Sequence, residues 1–320
     1  MTQAVLAIFT KIKPQHLAEV KQLASDYTVK LQDELTPTDI ENIEITYGWN
    51  LRQLEEAELM AMKRLRWIQA ASAGIDYLPE SLRQNTELQI STMSGLHAQP
   101  IAESVFGYLL ATGRQLFTSY SKQQRNQWSK PEHGLFFSLK DKTILVYGAG
   151  NIGKEIAHIA KSFGMKVIGV NTSGRPVEPF DQTVKLEESA EYATQADYIV
   201  SSLPATTETD DFFNEAWFNS LKSSAHFINI GRGNTVDEKA LYGALLAGKF
   251  AGAYLDVFKE EPLPEDSPLW QLPNLLITPH ITGHIEHFAL DAYPIFLENL
   301  RSYLTTGQIS RNSYSREKGY

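Results

Sequence analysis

The chain contains no cysteine. Disulfides, thiolate metal sites and cysteine nucleophiles are therefore excluded. Basic residues are in the minority, 29 Lys and Arg against 38 Asp and Glu, for a net charge of −9. Nucleic acid and anionic membrane are poor partners for such a chain. No run approaches the ~18 apolar residues that a membrane span needs. The first ten residues lack the basic start of a secretory leader, and the apolar run from Ala4 to Phe9 is too short for a leader core. That run reads as a first strand. Internal repeats, low-complexity blocks and charged tails are also missing. What is present is 320 residues of which 42% are hydrophobic, enough for two cores. A soluble cytoplasmic protein with a small-molecule partner is the expectation.

One stretch organises the rest. Ile144, Leu145, Val146 and Tyr147 form a short β-prone run suited to a strand buried on both faces. Gly148, Gly150 and Gly153 follow as G-x-G-x-x-G. The first glycine permits the tight turn, the second lets backbone approach a pyrophosphate, and the third lets the helix pack against the strand. Ile152, Ile156, Ile159, Ala160 and Phe163 then recur at helical spacing, and Gly164 closes the helix. The positive end of that helix faces the turn, which suits a diphosphate. Alone, the glycine pattern is also compatible with a turn that only packs a βα unit; strand and helix on either side favour a dinucleotide.

Strands and helices alternate throughout. Before residue 93, strands are expected at Val5–Phe9, Tyr27–Leu31, Ile43–Tyr47, Trp67–Ala71 and Leu88–Ile90, and helices at Pro14–Leu23 and Leu51–Leu65. Residues 98–119 read as one long helix with Glu103 in its first turn, followed by a polar stretch to Gly134 anchored by Trp128. From 143 onward, strands are expected at Thr143–Tyr147, Lys166–Val170, Asp197–Ser201, Ala225–Ile230, Phe250–Asp256 and Asn274–Thr278. Helices are expected at Glu215–Leu221 and Asp237–Ala247, with Asp237 as N-cap and Gly248 closing the latter. The segment 284–306 reads as a last helix, interrupted near Pro294 and leading back to the first domain. This rhythm predicts an α/β protein of two domains, the second a Rossmann-type, doubly wound parallel sheet.

In such a sheet, ligands bind beyond the carboxyl ends of the strands. The residues there are Gly148–Gly153; then Asn171, Thr172, Ser173 and Arg175; Leu203 and Pro204; Gly231, Arg232 and Gly233; Asp256 and Glu261; and Pro279 and His280. An arginine, a carboxylate and an imidazole thus converge on the cofactor edge. Arginine holds a carboxylate with a planar fork. Histidine exchanges protons near neutral pH, and a glutamate beside it favours the imidazolium. Separately, each has a structural reading: a loop-holding cation, a solvated acidic loop, a core histidine. His280, His284 and His287 are spaced by four and three, but Pro279 and Gly283 break the helix that a metal site would need, so no metal is expected. In the first half, Ser72-Ala73-Gly74-Ile75-Asp76 follows a strand. Its small residues expose N–H groups that suit a carboxylate or belong to an ordinary βα turn.

These residues resemble the D-isomer-specific 2-hydroxyacid dehydrogenases. The resemblance covers nearly the whole chain. It is carried by Gly148-Ala-Gly-Asn-Ile-Gly153, Asn229-Ile-Gly-Arg-Gly-Asn-Thr-Val-Asp237, Leu255-Asp-Val-Phe-Lys-Glu-Glu-Pro-Leu-Pro264 and Thr278-Pro-His-Ile-Thr-Gly283. It implies that Arg232 binds the substrate carboxylate and carbonyl, that His280 is the acid/base and that Glu261 is its partner. Ala73 and Gly74 would offer N–H groups to the carboxylate. Ile152, Gly153, Pro204, Thr209, Ile230 and Asp256 match cofactor-contacting positions of the family; with Gly148, Gly150, Asn151, Asn171, Thr172, Ser173, Arg175, Leu203, Gly231, His280 and Gly283 they make up the expected cofactor contacts. Residues 1–98, completed by 287–320, would form a flavodoxin-like substrate domain, and 99–286 the dinucleotide domain. A homodimer through the dinucleotide domain is also implied. The chain departs from the family pattern at His97-Ala-Gln-Pro-Ile-Ala-Glu103, where Asn-Ala-x-Ala-Val-Ala-Glu is usual.

The expected activity is hydride transfer between a nicotinamide cofactor and a small 2-keto or 2-hydroxy acid. A dinucleotide-sensing, corepressor-like binding protein is the alternative. NADP(H) is favoured over NAD(H), because the residue after the second strand is Asn171, where an acidic residue would bind the ribose 2′-hydroxyl, and Thr172, Ser173 and Arg175 add hydroxyls and a cation.

Overall fold

Val5, Leu6, Ala7 and Ile8 are all buried, as a strand covered on both faces requires. They form β1, the second strand of a parallel sheet in a computed structural model that describes residues 3–49, 59, 62–75, 77–131 and 133–316. The chain divides into two compact units, Met1–His97 with Ile285–Tyr320, and Ala98–His284.

In the first unit, β1 (Val5–Ile8), β2 (Thr28–Leu31), β3 (Ile43–Tyr47), β4 (Trp67–Gln69) and β5 (Gln89–Ser91) pair in the order β2-β1-β3-β4-β5. Every pairing is parallel, which is the flavodoxin-like order. The expected helix Leu51–Leu65 lies mostly outside the described residues, as does Asp76. The C-terminal segment completes this unit. It forms helices Phe288–Asp291 and Tyr293–Thr306, with the break at Ala292 and Pro294 in the first turn of the second. Phe296 stacks on Tyr47 with ring centroids 4.0 Å apart. Asn299 Nδ2 donates to Gln69 Oε1 at 3.0 Å, tying the last helix to the sheet through two fully buried amides.

In the second unit, β6 (Thr143–Tyr147), β7 (Lys166–Asn171), β8 (Gln182–Lys185), β9 (Tyr198–Ser201), β10 (His226–Asn229), β11 (Gly252–Leu255) and β12 (Leu275–Ile277) pair in parallel as β12-β11-β10-β9-β6-β7-β8. This is the doubly wound order with a seventh strand added. Its topological switch point falls between β6 and β9, beside the glycine turn. The sequence reading missed β8, because Gln182-Thr-Val-Lys185 has one buried residue and no apolar run.

The long helix expected over 98–119 is two helices, Ala98–Gly113 and Leu116–Gln123. The Phe137 ring lies so close to Gly113 that a Cβ there would come within 2.7 Å of it. Gln115 turns the chain with a left-handed φ of 57°, and its Nε2 donates to the Leu135 carbonyl. Glu103 lies beyond the first turn, where Gln99 Nε2 donates to it at 2.9 Å. Trp128 does not act as an anchor among the described residues: it is 99% exposed.

Beneath β10, Tyr108 Oη and His226 Nδ1 lie 3.0 Å apart, both buried among Phe137, Tyr198 and Tyr254. Burial pushes the His226 imidazole down to about 4. The unfolded chain takes up this proton near 6.5 and the folded chain only near 4, so stability should fall as pH drops through that window. The loss expected is on the order of 3 kcal/mol. Melting temperatures of wild type and His226→Phe between pH 7 and 4.5 test this. The variant should show the shallower decline, and parallel curves would refute the assignment.

Candidate active site

Parallel strands put every loop that follows them on one edge. The glycine turn after β6 therefore shares its edge with the loops after β10, β11 and β12. Gly148 takes φ 99°, and a Cβ on it would strike Ser202 Oγ. A Cβ on Gly153 would collide with the Gly148 carbonyl oxygen, so the helix Asn151–Ser162 packs onto the turn only because both residues are glycine. Around Gly150 the space is open, with no atom within 4 Å of an added Cβ. An open cradle in front of a helix N-terminus fits a dinucleotide diphosphate.

After β10, Asn229 is fully buried and holds the turn that carries Arg232. Its Nδ2 donates to the Arg232 carbonyl at 3.0 Å, and its Oδ1 accepts from the Gly231 N–H at 3.1 Å. The glycines flanking Arg232 are required by close approach. A Cβ on Gly231 would come within 2.6 Å of the Leu203 carbonyl oxygen, and one on Gly233 would overlap the Phe258 carbonyl group.

After β11 and β12, His280 Nδ1 lies 2.8 Å from Glu261 Oε2. Glu261 Oε1 accepts from the Phe258 N–H at 3.0 Å, which fixes the carboxylate's direction. His280 has a left-handed φ of 55°. What holds it is Asp256, 1% exposed. Asp256 Oδ1 accepts from Thr278 Oγ1 and from the Ile281 N–H, and Oδ2 accepts from the Thr282 N–H and Thr282 Oγ1. Tyr254 Oη lies 3.1 Å from Thr278 Oγ1. The residues on either side of His280 are thus tied to one buried carboxylate. Asp256, read from sequence as a cofactor contact, spends its oxygens on this loop. Thr278, Thr282 and Tyr254 were not among the site residues read from the sequence, although Thr278 and Thr282 belong to the motif around His280. The hydroxyls of Thr278 and Thr282, two residues either side of His280, were the available signal.

The remaining residues fall into groups. Leu203 and Ile230 are buried, with Pro204 partly exposed. Thr209 is buried and donates to the Pro204 carbonyl at 2.7 Å, so it shapes the loop after β9. Asn171 closes the turn after β7: its Nδ2 donates to the Arg175 carbonyl at 2.9 Å, and its Oδ1 accepts from the Ser173 N–H at 3.1 Å. Thr172, Ser173 and Arg175 are exposed around that turn. Ile152 and Gly283 are partly buried, while Asn151 is exposed. In the first unit, Ser72 Oγ donates to the Gly74 carbonyl at 2.6 Å, curling the turn that contains Ala73 and Gly74. Among the described residues no cluster of three or more His, Cys, Asp or Glu could hold a metal.

The family model for the D-isomer specific 2-hydroxyacid dehydrogenase NAD binding domain matches residues 106–282. This chain belongs to that family. A glyoxylate/hydroxypyruvate reductase B of Klebsiella pneumoniae (strain 342) is 30% identical over 310 residues, covering 91% of this chain and 95% of its own. A solved D-isomer specific 2-hydroxyacid dehydrogenase family protein from Aeromonas salmonicida subsp. salmonicida A449 has a TM-score of 0.83 and 34% identity, covering 98% of this chain and all of that one. A third, from Xanthobacter autotrophicus Py2 in complex with NADPH and MES, has a TM-score of 0.81 and 25% identity over the full length of both. The protein is thus an NAD(P)-dependent 2-hydroxyacid dehydrogenase. The corepressor-like alternative finds no support among these relatives.

Proposed function

We propose that this dehydrogenase reduces a small 2-keto acid of the glyoxylate or hydroxypyruvate class, with NADPH as the preferred cofactor. The observation that carries the reading is the His280–Glu261 pair on the same sheet edge as Arg232 and the glycine turn. The Klebsiella relative's name supports the substrate class. When bound, the nicotinamide supplies the hydride. Arg232 binds the substrate carboxylate and carbonyl, and its charge stabilises the negative oxygen that develops on the carbonyl. His280 donates the proton that this oxygen takes up, and Glu261 orients the imidazole through the contact at Nδ1. Absorbance loss at the reduced nicotinamide band, with glyoxylate, hydroxypyruvate, pyruvate and a branched 2-keto acid, tests the assignment. It fails if none of these turns over.

The cofactor preference is supported by the exposed Thr172, Ser173 and Arg175 around a turn that carries no carboxylate. A phosphate oxygen beside arginine gains a charge-assisted bond, typically ~1.5–3 kcal/mol. We expect kcat/KM to favour NADPH by roughly tenfold or more. An Asn171→Asp, Arg175→Ala double variant should reverse the preference. Equal use of NADH by wild type would defeat the reading.

The homodimer is supported by the helix Leu116–Gln123, which buries none of its residues although it carries Leu116, Phe117 and Tyr120. Leu110 and Trp128 are exposed as well, and exposed large apolar side chains are what an interface covers. Sedimentation should give a dimer, and Phe117→Asp should shift it towards monomer. A cytoplasmic setting completes the proposal; among the described residues no helix is long and apolar enough to cross a membrane.

A further inference from the structure

We propose that Lys185 is a second cation of the 2′-phosphate site and a determinant of cofactor choice. This rests on the NADPH reading above. Lys185 lies fourteen positions beyond Asn171 in sequence, but β8 pairs with β7 so that the two are register partners. Partners in adjacent parallel strands project from the same face of the sheet. Val184 turns into the core, while Lys185 is exposed at the carboxyl end of its strand. That end is where the cofactor loop begins.

The lysine stem lies against the turn itself. A Cβ on Gly174 would come within 3.0 Å of Lys185 Cγ, and Gly174 has a left-handed φ of 68°. Residue 174 is thus bare where the stem runs alongside. The turn is docked onto the same strand, since Thr183 Oγ1 donates to the Arg175 carbonyl at 2.8 Å. Strand β8 therefore both holds the arginine-bearing turn and brings a second positive side chain to it. Glu188 on the same segment accepts from the Lys185 backbone N–H at 3.3 Å. Among the described residues no ion pair engages the Lys185 ammonium, whereas Lys161 and Lys222 are each paired with an aspartate.

The chemistry of the ligand calls for more than one cation. A phosphate monoester carries about −1.5 to −2 charges near neutral pH. One arginine neutralises part of that with a planar fork; a lysine adds a mobile point charge that follows the remaining oxygen. NADH presents only a hydroxyl at the same place and gains little from either. Lys185 should therefore act on the difference between the cofactors, and its action should weaken with salt because the side chain is exposed.

The test is calorimetric affinity for NADPH, NADH, 2′,5′-ADP and 5′-AMP, in wild type, Lys185→Gln, Lys185→Arg and Arg175→Gln. In Lys185→Gln the NADPH-to-NADH affinity ratio should fall by about three- to tenfold, as should the ratio for 2′,5′-ADP over 5′-AMP. Lys185→Arg should retain both ratios. The salt dependence of NADPH binding should be shallower in Lys185→Gln than in wild type. If Arg175→Gln erodes the ratios and Lys185→Gln leaves them unchanged, the lysine has no part in the site and the NADPH reading stands. If wild type shows no preference for the 2′-phosphorylated ligands, both readings fall.

Discussion

Arg232→Lys should lose about a hundredfold in kcat/KM for the keto acid. Lysine keeps the charge but cannot present two parallel N–H groups to a carboxylate and its neighbouring carbonyl. The loss of one charge-assisted bond costs ~1.5–3 kcal/mol, and each 1.4 kcal/mol is about tenfold in rate. The backbone should tolerate the exchange, because Asn229 and the close approach of Gly231 and Gly233 hold the turn, to which Arg232 Nη1 adds a bond to the Gly231 carbonyl at 2.9 Å. Cofactor affinity should change little. Steady-state kinetics with separate titrations of keto acid and NADPH will show where the loss falls. Near-normal kinetics on the keto acid would remove Arg232 from substrate binding.

His280→Gln should lower kcat by about 10²–10⁴, the usual contribution of a positioned proton donor. Glutamine retains a polar side chain of similar reach but donates no proton at neutral pH. Glu261→Gln should cost less, because its carboxylate acts through the imidazole that it contacts at 2.8 Å. The two losses should not add, since both break the same hydrogen-bonded pair. Single-turnover rates for the two variants and their double are the measurement. A fully additive double variant would mean that the pair does not act as a unit.

The sequence made the glycine turn legible because its three glycines answer local demands: a positive φ at Gly148, open space at Gly150 and close packing at Gly153. Arg232, Glu261 and His280 were also within reach, since each follows a short apolar strand and parallel pairing brings strand ends together. Contacts between distant segments were harder to read. Strand β8 is mostly polar and belongs to the sheet only through its pairing with β7. The clamp around Asp256 joins hydroxyls and N–H groups from residues 278–282, whose meeting depends on the register of β11 with β12. The break at Gly113 needed the Phe137 ring, which packs there from 24 residues downstream. Trp128 was misread because a large indole is ordinarily covered, and none of the described residues covers it.

His280 sits where a side chain is disfavoured by its own backbone. A left-handed φ of 55° costs a residue with a Cβ roughly 1–2 kcal/mol relative to glycine, and the hydrogen bonds to Asp256 hold the loop in that shape. Selection for stability and selection for turnover therefore pull this position in opposite directions. A glycine at 280 would relax the loop and firm up the fold, while discarding the imidazole that moves the proton. Screens that reward thermal endurance alone should drift towards such inactive relatives, and the histidine persists only where the reaction itself is under selection.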